Sequence, residues 1–507
     1  MSEEVEAHIY KKFEIVQKLG KGAYGIVWKA IEKATKKTVA LKKVFEAFHN
    51  ATDAQRTYRE VMILQELNGH TNVVRLLNVI KADNNKDLYL VFEFMETDLH
   101  AVIKAGILKG IHKQYIIYQL LKGLKYIHSG EIIHRDLKPS NILINSDCLI
   151  KLADFGLARS VNNTVEEGDP IMTEYVATRW YRAPEIVLGS NQYSKAVDVW
   201  SVGCILAELI NGRALFPGKS TLNQIELILG VLGKPDGRDI KDIGSENAYS
   251  IINSIGIKQR MSFEKFFKDQ NPVVIDFLRK CLYFNPKRRF TIDDALEHPY
   301  IAQFREKKTE KILSKPITIS IDDNKKLSIK EYREALYNNI IIKKKEQRKQ
   351  WRQKYLKQLG IDVKNDDLKK DQFKSILAKR KEKQKMNSSK ISNTQQTGTF
   401  YSKGRSSKLG SSNQFMGSRK SAKLRNSSNS LLKNKYSRKD VLSTKNSKLR
   451  NAGSKDKRFG SVKNNYYARE YDHFGNALEN SKSINYKKIS SYYRNILENK
   501  NYKTHFK

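Results

Sequence analysis

The 507-residue sequence predicts an α+β fold of two unequal lobes, a small β-rich lobe and then a large helical one, followed by a long, basic, mostly disordered tail. Three observations carry that expectation: where the charge lies, where the prolines stop, and where the apolar periodicity changes from strand-like to helical. The chain holds 94 Lys+Arg against 54 Asp+Glu, a formal net charge of +40. Residues 1–304 contain 41 basic and 36 acidic side chains, net +5, whereas residues 305–507 contain 53 and 18, net +35. The first part therefore has the balance of a globular unit, and about three hundred residues can bury a large core in one or two lobes. Cys148, Cys204 and Cys281 all lie in it. So few cysteines without C-x-x-C spacing exclude a disulfide scaffold and fit a reducing compartment. The acidic start, Met1-Ser-Glu-Glu-Val-Glu-Ala-His, has no apolar core for a secretory signal, and no apolar run approaches the ~18 residues of a membrane span. A soluble intracellular chain is expected.

Taken in order, residues 13–30 and 38–45 alternate apolar and polar positions and read as strands. Residues 53–67 have helical periodicity behind Asp53 as N-cap, and Leu88–Phe94 is a further β-type run. Together these make a first lobe of about 13–95. From Lys113 helical segments dominate, such as Tyr115–His128 and Ala196–Asn211, and define a second lobe of about 96–304. The last of nine prolines is Pro316. Residues 305–345 read as an extension packed back on the folded region, and 346–507 as the basic tail. From about Asn387 the tail is Ser/Asn/Lys-rich, as in Arg425-Asn-Ser-Ser-Asn-Ser. Such a stretch has too little apolar surface to offset the entropy of ordering it. No fixed-period repeat is present.

The chemistry begins at Leu19-Gly20-Lys21-Gly22-Ala23-Tyr24-Gly25-Ile26-Val27, a glycine-rich loop between two strands. Glycines let a backbone approach phosphate oxygens without Cβ obstruction, although glycine triplets are also ordinary turns. A dinucleotide-binding reading requires a helix immediately after the loop, but Ile26-Val-Trp-Lys-Ala-Ile continues as strand. Val39-Ala40-Leu41-Lys42 places a lysine in an apolar strand, where an unpaired ammonium is costly, and Glu60 on the 53–67 helix is a candidate partner. His134-Arg135-Asp136-Leu137-Lys138-Pro139-Ser140-Asn141, Asp154-Phe155-Gly156, Thr173-Glu174-Tyr175 and Ala183-Pro184-Glu185 follow. Any one of these could be a chance tripeptide or a structural ion pair. All six blocks in this order make coincidence negligible.

From Phe13 to Phe304 the chain resembles the eukaryotic protein kinases, which implies the bilobal kinase fold with ATP and Mg²⁺ as cofactors. By that resemblance Leu19 to Gly25 and Val27 cover the triphosphate, and Lys42, paired to Glu60, holds the α and β phosphates. Asp154 and Asn141 bind Mg²⁺, Asp136 takes or orients the acceptor hydroxyl proton, and Lys138 steadies the γ-phosphate. Ala40 lines the adenine slot, Glu93 to Met95 form the hinge, and Phe92 is the gatekeeper. None of these catalytic positions is substituted, so an active enzyme is expected rather than a dead one.

Thr173-Glu174-Tyr175 and the sequel Val176-Ala-Thr178-Arg-Trp-Tyr-Arg182-Ala-Pro-Glu resemble the extracellular-signal-regulated MAP kinases, activated by dual phosphorylation. Two phosphates add about three to four negative charges. Arg56, Arg59, Arg135 and Arg159 are either a cage for them or four solvated surface arginines. A cyclin-dependent-like kinase is the nearest competitor, but the cyclin-recognition helix sequence is absent. Asp53-Ala-Gln-Arg-Thr-Tyr-Arg-Glu60, Tyr89-Leu-Val-Phe-Glu-Phe-Met95 and Leu327-Ser-Ile-Lys-Glu-Tyr332-Arg are similar to the atypical seven/eight branch, also called MAP kinase fifteen. That similarity implies self-activation, protein substrates with Ser/Thr-Pro sites, a monomer, and a cytoplasmic address that extends to the cilium, basal body or nucleus.

No Ser-Pro or Thr-Pro occurs in the chain, so self-labelling is expected at Thr173 and Tyr175 and not in the tail. The tail's charge suits polyanions such as microtubules or RNA, with Tyr466, Tyr467, Tyr471, Tyr492 and Tyr493 available for stacking. It serves equally as a solubilising segment. A polyanion-binding scaffold with an incidental kinase fold is the alternative from another class. Tyr337-Asn-Asn-Ile340 fits both a short docking motif and a helix packed back on the domain.

Overall fold

The computed structural model describes residues 4–22, 25–161, 179–190, 194–256, 263–321 and 325–358, with residues 375 and 378. A one-turn helix, α1 (Ala7–Tyr10), leads into strands β1 (Phe13–Gly22), β2 (Gly25–Glu32) and β3 (Thr38–Val44), then helix α2 (Ala51–Glu66), β4 (Leu76–Lys81) and β5 (Leu88–Glu93). The five strands form one antiparallel sheet in the order β1-β2-β3-β5-β4. Alternation along the strands gives the sheet two different faces. Ile26, Trp28 and Ala30 of β2 and Val39 and Leu41 of β3 are buried with Val5, Ile9, Phe13 and Tyr89 in a small core on one side. The other face carries Val27, Ala40 and Lys42, all half-buried.

Helix α2 starts two residues earlier than the sequence suggests, and Asn50 rather than Asp53 is its cap. The Asn50 Oδ1 accepts from the Asp53 backbone N–H at 2.8 Å, and its Nδ2 donates to Asp53 Oδ2 at 2.8 Å. Both residue types cap helices; the one further upstream wins because Asp53, in the first turn, is better used against the positive end of the helix dipole.

The larger lobe opens with β6 (Thr97–Asp98) and α3 (Leu99–Lys104), the latter capped by Asp98, whose Oδ1 accepts from Ala101 N–H at 2.9 Å. Helices α4 (Gly110–Ser129) and α6 (Ala196–Asn211), with the short α5 (Pro184–Val187) between them, organise the main core. Every residue of α6 from Val197 to Leu209 is buried, as expected of a helix apolar nearly all round. Short strands β7 (Ile132–Ile133), β8 (Ile142–Ile144), β9 (Ile150–Leu152) and β10 (Arg159–Ser160) lie between α4 and α5; β6, β8 and β9 form one small sheet, β7 and β10 another. Cys148, Cys204 and Cys281 are free, buried thiols. Among the described residues no helix is long and apolar enough to cross a membrane.

The C-terminal extension runs back along α4, where Leu313 N–H donates to Ser129 Oγ at 2.9 Å and Ile317 N–H to the Gly130 carbonyl at 2.9 Å. It ends in a helix, Ile329–Gln358, that continues past residue 345, the expected end of the extension. Tyr332, Leu336 and Ile340 of this helix are buried, and the Tyr337 ring lies 6.2 Å from Phe48. The Tyr337–Ile340 pattern is thus used in packing. The tail beyond Gln358, with its tyrosines, lies outside the described residues apart from positions 375 and 378.

Candidate active site

Strand β3 sets the upper wall of the cleft. Successive residues point to opposite faces, so Lys42 and Lys43 part company. Lys42 Nζ lies 3.2 Å from Glu60 Oε1 on α2. Burial works against its charge, but the Glu60 and Asp154 carboxylates outweigh that and hold its pKa above the usual lysine value. Lys43 enters the small core instead, where its Nζ donates to the Glu4 carbonyl at 3.0 Å, pairs with Asp87 Oδ2 at 3.3 Å and lies over the Tyr89 ring. Ala40 stands opposite Phe92 of β5 in the sheet register, and Phe92 and Met95 are buried. The Glu93 carboxylate accepts from Arg75 N–H at 2.8 Å and pairs with Lys151 at 3.0 Å, which pins the chain where it passes between the lobes.

Three glycines of the loop have different reasons to be glycine. A Cβ on Gly25 would lie 2.2 Å from the Lys43 carbonyl oxygen, so the close approach of β2 to β3 demands glycine there. At Gly20 and Gly22 nothing among the described residues stands within 4 Å of such a Cβ, and neither needs a left-handed backbone. Packing among the described residues does not explain them, and a backbone without Cβ there suits the close approach of a ligand. Leu19 is exposed, Lys21 is exposed and Val27 half-buried, while Ala23 and Tyr24 lie outside the described residues.

The lower wall is the segment His134–Asn141. Its anchor is Asp198, fully buried in the first turn of α6 and unremarked in the sequence motifs. Asp198 Oδ2 accepts from the His134 backbone N–H at 2.9 Å and meets His128 Nε2 at 2.8 Å, while Oδ1 accepts from Arg135 N–H at 2.9 Å. Burial pushes the Asp198 carboxyl up, but these donors, led by His128, bring it below the usual carboxylate range. Arg135 has φ +67°, a left-handed conformation that a side chain adopts only when its surroundings impose it.

Asp136 projects from this turn. Its Oδ2 accepts from Lys138 Nζ at 2.7 Å and from Asn141 Nδ2 at 3.0 Å, and the Asn141 amide also donates to the Asp136 carbonyl at 2.8 Å. Among the described residues no hydrogen bond engages Asp136 Oδ1. Asn141 then accepts on its own carbonyl from Ala153 N–H at 2.9 Å, and His134 Nε2 meets the Ala153 carbonyl at 3.1 Å. Asp154 follows with φ +63°. Burial raises its pKa, but the charges of Lys42, Arg56 and Lys138 overcome this and hold the carboxyl below its ordinary value. The side chains of both walls therefore act electrostatically on one carboxylate.

The four arginines have separate fates. Arg56 Nε is 2.7 Å from where a Gly156 Cβ would be, so its guanidinium lies against the Asp-Phe-Gly turn. Arg59 is buried in α2, which excludes the solvated-surface reading for it. Arg159 pairs with Ile133 in the β7–β10 register, two positions before Arg135. Thr173 and Tyr175, which such a cage would serve, lie outside the described residues. After them Glu185 of α5 makes a bidentate pair with Arg289, Oε1 to Nη1 at 2.6 Å and Oε2 to Nη2 at 2.7 Å, both fully buried. The sequence supplied Glu185 within its motif but not this partner, 104 positions away.

The residues fit a metal-bound nucleoside triphosphate. Open space above Gly20 and Gly22, a protonated Lys42 and an ionised Asp154 face one cleft. Asp154 and Asn141 offer only oxygen ligands, the set that suits Mg²⁺.

A family model for the protein kinase domain matches residues 13–301. The chain is 58% identical over 350 residues to extracellular signal-regulated kinase 2 of Dictyostelium discoideum, covering 69% of this chain and 95% of that protein. It is 54% identical over 353 residues to mitogen-activated protein kinase 15 of Xenopus laevis, covering 69% and 60%, and 51% identical over 349 residues to the Caenorhabditis elegans protein of that name, covering 68% and 74%.

Proposed function

The chain belongs to the protein kinase family, as a serine/threonine kinase of the MAP kinase type and its seven/eight branch, and from that premise we propose a proline-directed, ATP- and Mg²⁺-dependent enzyme switched on by phosphorylation of Thr173 and Tyr175. The observation that carries the reading is the orientation of Asp136 through Oδ2 by Lys138 and Asn141, with no partner on Oδ1 among the described residues, where an acceptor hydroxyl would meet it. Nucleotide and metal supply the transferable phosphoryl group and the charge that neutralises it. Asp136 orients the incoming Ser or Thr hydroxyl and receives its proton. Lys138 places a cation beside the same spot, Lys42 is held by Glu60 for the phosphates, and Asp154 with Asn141 supplies the metal ligands. The formed Lys42–Glu60 pair and an ionised Asp154 count against a scaffold with an incidental kinase fold. A monomeric, cytoplasmic enzyme whose +35 C-terminal part adheres to polyanions completes the proposal.

Purified full-length protein given ATP, Mg²⁺ and paired Ser-Pro and Ser-Ala peptides tests it. Expected are preferential labelling of the Ser-Pro peptide, phosphate on Thr173 and Tyr175, and a drop of about 10³-fold in Asp136→Asn. Equal labelling of both peptides removes the proline-directed part, and undiminished transfer by Asp136→Asn removes the assigned role of Asp136.

A further inference from the structure

Helix α2 is gripped from two sides. Glu60 reaches the cleft, while Tyr58, two residues earlier and so on another face of the helix, points to the C-terminal extension. Tyr58 is 2% exposed, and its hydroxyl lies 2.7 Å from the Oγ of Ser320. Asn339 Nδ2 donates to the same phenol oxygen at 3.3 Å, and the Tyr332 ring lies 6.0 Å away. Further along, Lys343 Nζ meets Glu66 Oε1 at the end of α2, and Lys344 Nζ donates to the Val79 carbonyl of β4 at 3.2 Å. The extension thus fastens the outer side of the helix whose inner side supplies Glu60.

Ser320 is the accessible member of this junction, being exposed while its partner Tyr58 is not. The sequence there is Ile319-Ser320-Ile321-Asp322-Asp323, a serine with carboxylates two and three positions downstream. No proline follows, so a proline-directed enzyme does not select it in its own chain, whereas an acid-directed kinase would. We propose that Ser320 is a phosphorylation site through which a separate, acid-directed kinase releases the C-terminal extension from α2 and weakens the Lys42–Glu60 pair. In the modification Ser320 Oγ bonds to the terminal phosphorus of ATP, the bond from that phosphorus to the ADP oxygen breaks, and the hydroxyl proton passes to the modifying enzyme's base. The product carries about two negative charges where Oγ now touches a buried phenol and where two aspartates follow in sequence. To stay hydrated the phosphate must turn outward, and this draws Oγ away from the buried phenol oxygen that now lies 2.7 Å from it. The contact with Tyr58 opens.

The activity readout of this regulation rests on the kinase reading above; the conformational readout does not. Full-length Asp136→Asn protein, unable to label itself, is incubated with ATP, Mg²⁺ and purified casein kinase, an enzyme that requires acidic residues after its serine. Phosphosite mapping is expected to find Ser320 and to lose it in the Ser320→Ala double variant. Hydrogen exchange across residues 51–66 is then expected to quicken about 10-fold, with the wild-type enzyme losing about 10-fold in turnover and the Ser320→Ala single variant keeping its turnover under the same treatment. Ser320 left unmodified, or modified with exchange in 51–66 or turnover unchanged, overturns the proposal. A wild-type chain that transfers no phosphate before treatment defeats the kinase reading alone, because exchange across α2 still decides whether the junction opens.

Discussion

Glu60 holds the upper wall of the cleft through one 3.2 Å contact to Lys42, at the edge of a helix that the C-terminal extension also grips. Asp198 holds the lower wall through three bonds to His128, His134 and Arg135, from inside a helix buried on all sides. The upper wall can therefore be adjusted at the cost of one partly exposed ion pair, whereas the lower wall cannot move without orphaning buried donors. Regulation belongs where the energy is small, and the chemistry where it is large. The contrast breaks if the two carboxylates turn out to be equally replaceable. Asp198→Ala is expected to lower stability by about 3–5 kcal/mol, since two backbone N–H groups and His128 lose a buried acceptor. Glu60→Gln is expected to lower stability by about 1–2 kcal/mol, less than Asp198→Ala because Asp154 still faces Lys42, while lowering turnover about 10- to 100-fold. Denaturant midpoints alongside initial rates for the two variants decide the matter, and similar stability losses would erase the distinction.

A finer version of the comparison lies within the glycine loop. Gly25→Ala forces a Cβ against the Lys43 carbonyl oxygen, with an expected cost of about 1–3 kcal/mol in stability. Gly20→Ala meets open space and leaves stability within about 0.5 kcal/mol, yet it is expected to raise KM for ATP. Thermal shift and ATP titration separate the two. A Gly20→Ala enzyme with unchanged KM would mean that the open space above the loop is not where phosphates lie.

The residues legible in the sequence are those that fall in short local motifs: the loop glycines, Lys42, Asp136, Asn141 and Asp154. Strand and helix periodicity likewise located β1 to β3 and the whole of α6. What stayed hidden depends on tertiary pairing. Asp198 sits in an apolar helix with nothing local to mark it, and its partners His134 and His128 are 64 and 70 positions away. The same holds for Arg289, the partner of Glu185. Period-two alternation separates Lys42 from Lys43 but does not say which face becomes the cleft, so the anchoring of Lys43 to Glu4 and Asp87 was out of reach. Asn50 and Asp53 are both of a type that caps helices, and nothing local in the sequence says that the helix starts early enough to leave Asp53 in its first turn.

Between the two walls runs the loop that joins α2 to β4, and a pH experiment probes how firmly it couples them. Asn72 donates to Gln119 Oε1 at 3.1 Å and to the Ile150 carbonyl at 3.0 Å, tying the loop to the lower lobe. Its backbone N–H donates to His70 Nδ1 at 3.0 Å, so this nitrogen must be unprotonated. His70 is buried against the Tyr126 ring, centroids 4.6 Å apart. Burial, with Lys122, Lys311 and Lys151 nearby, lowers its pKa to about 4. The folded protein then binds fewer protons than the unfolded chain between about pH 6.5 and 4, and stability must fall as pH falls through that window. At pH 5.5 the loss from this residue is about 1 kcal/mol relative to neutrality. Urea midpoints for the wild type and His70→Gln at pH 7.5 and 5.5 isolate it: the variant starts lower but is expected to lose about 1 kcal/mol less on acidification. Parallel losses in the two proteins would show that His70 takes up its proton without leaving Asn72, and that the tie between the walls does not depend on a neutral ring.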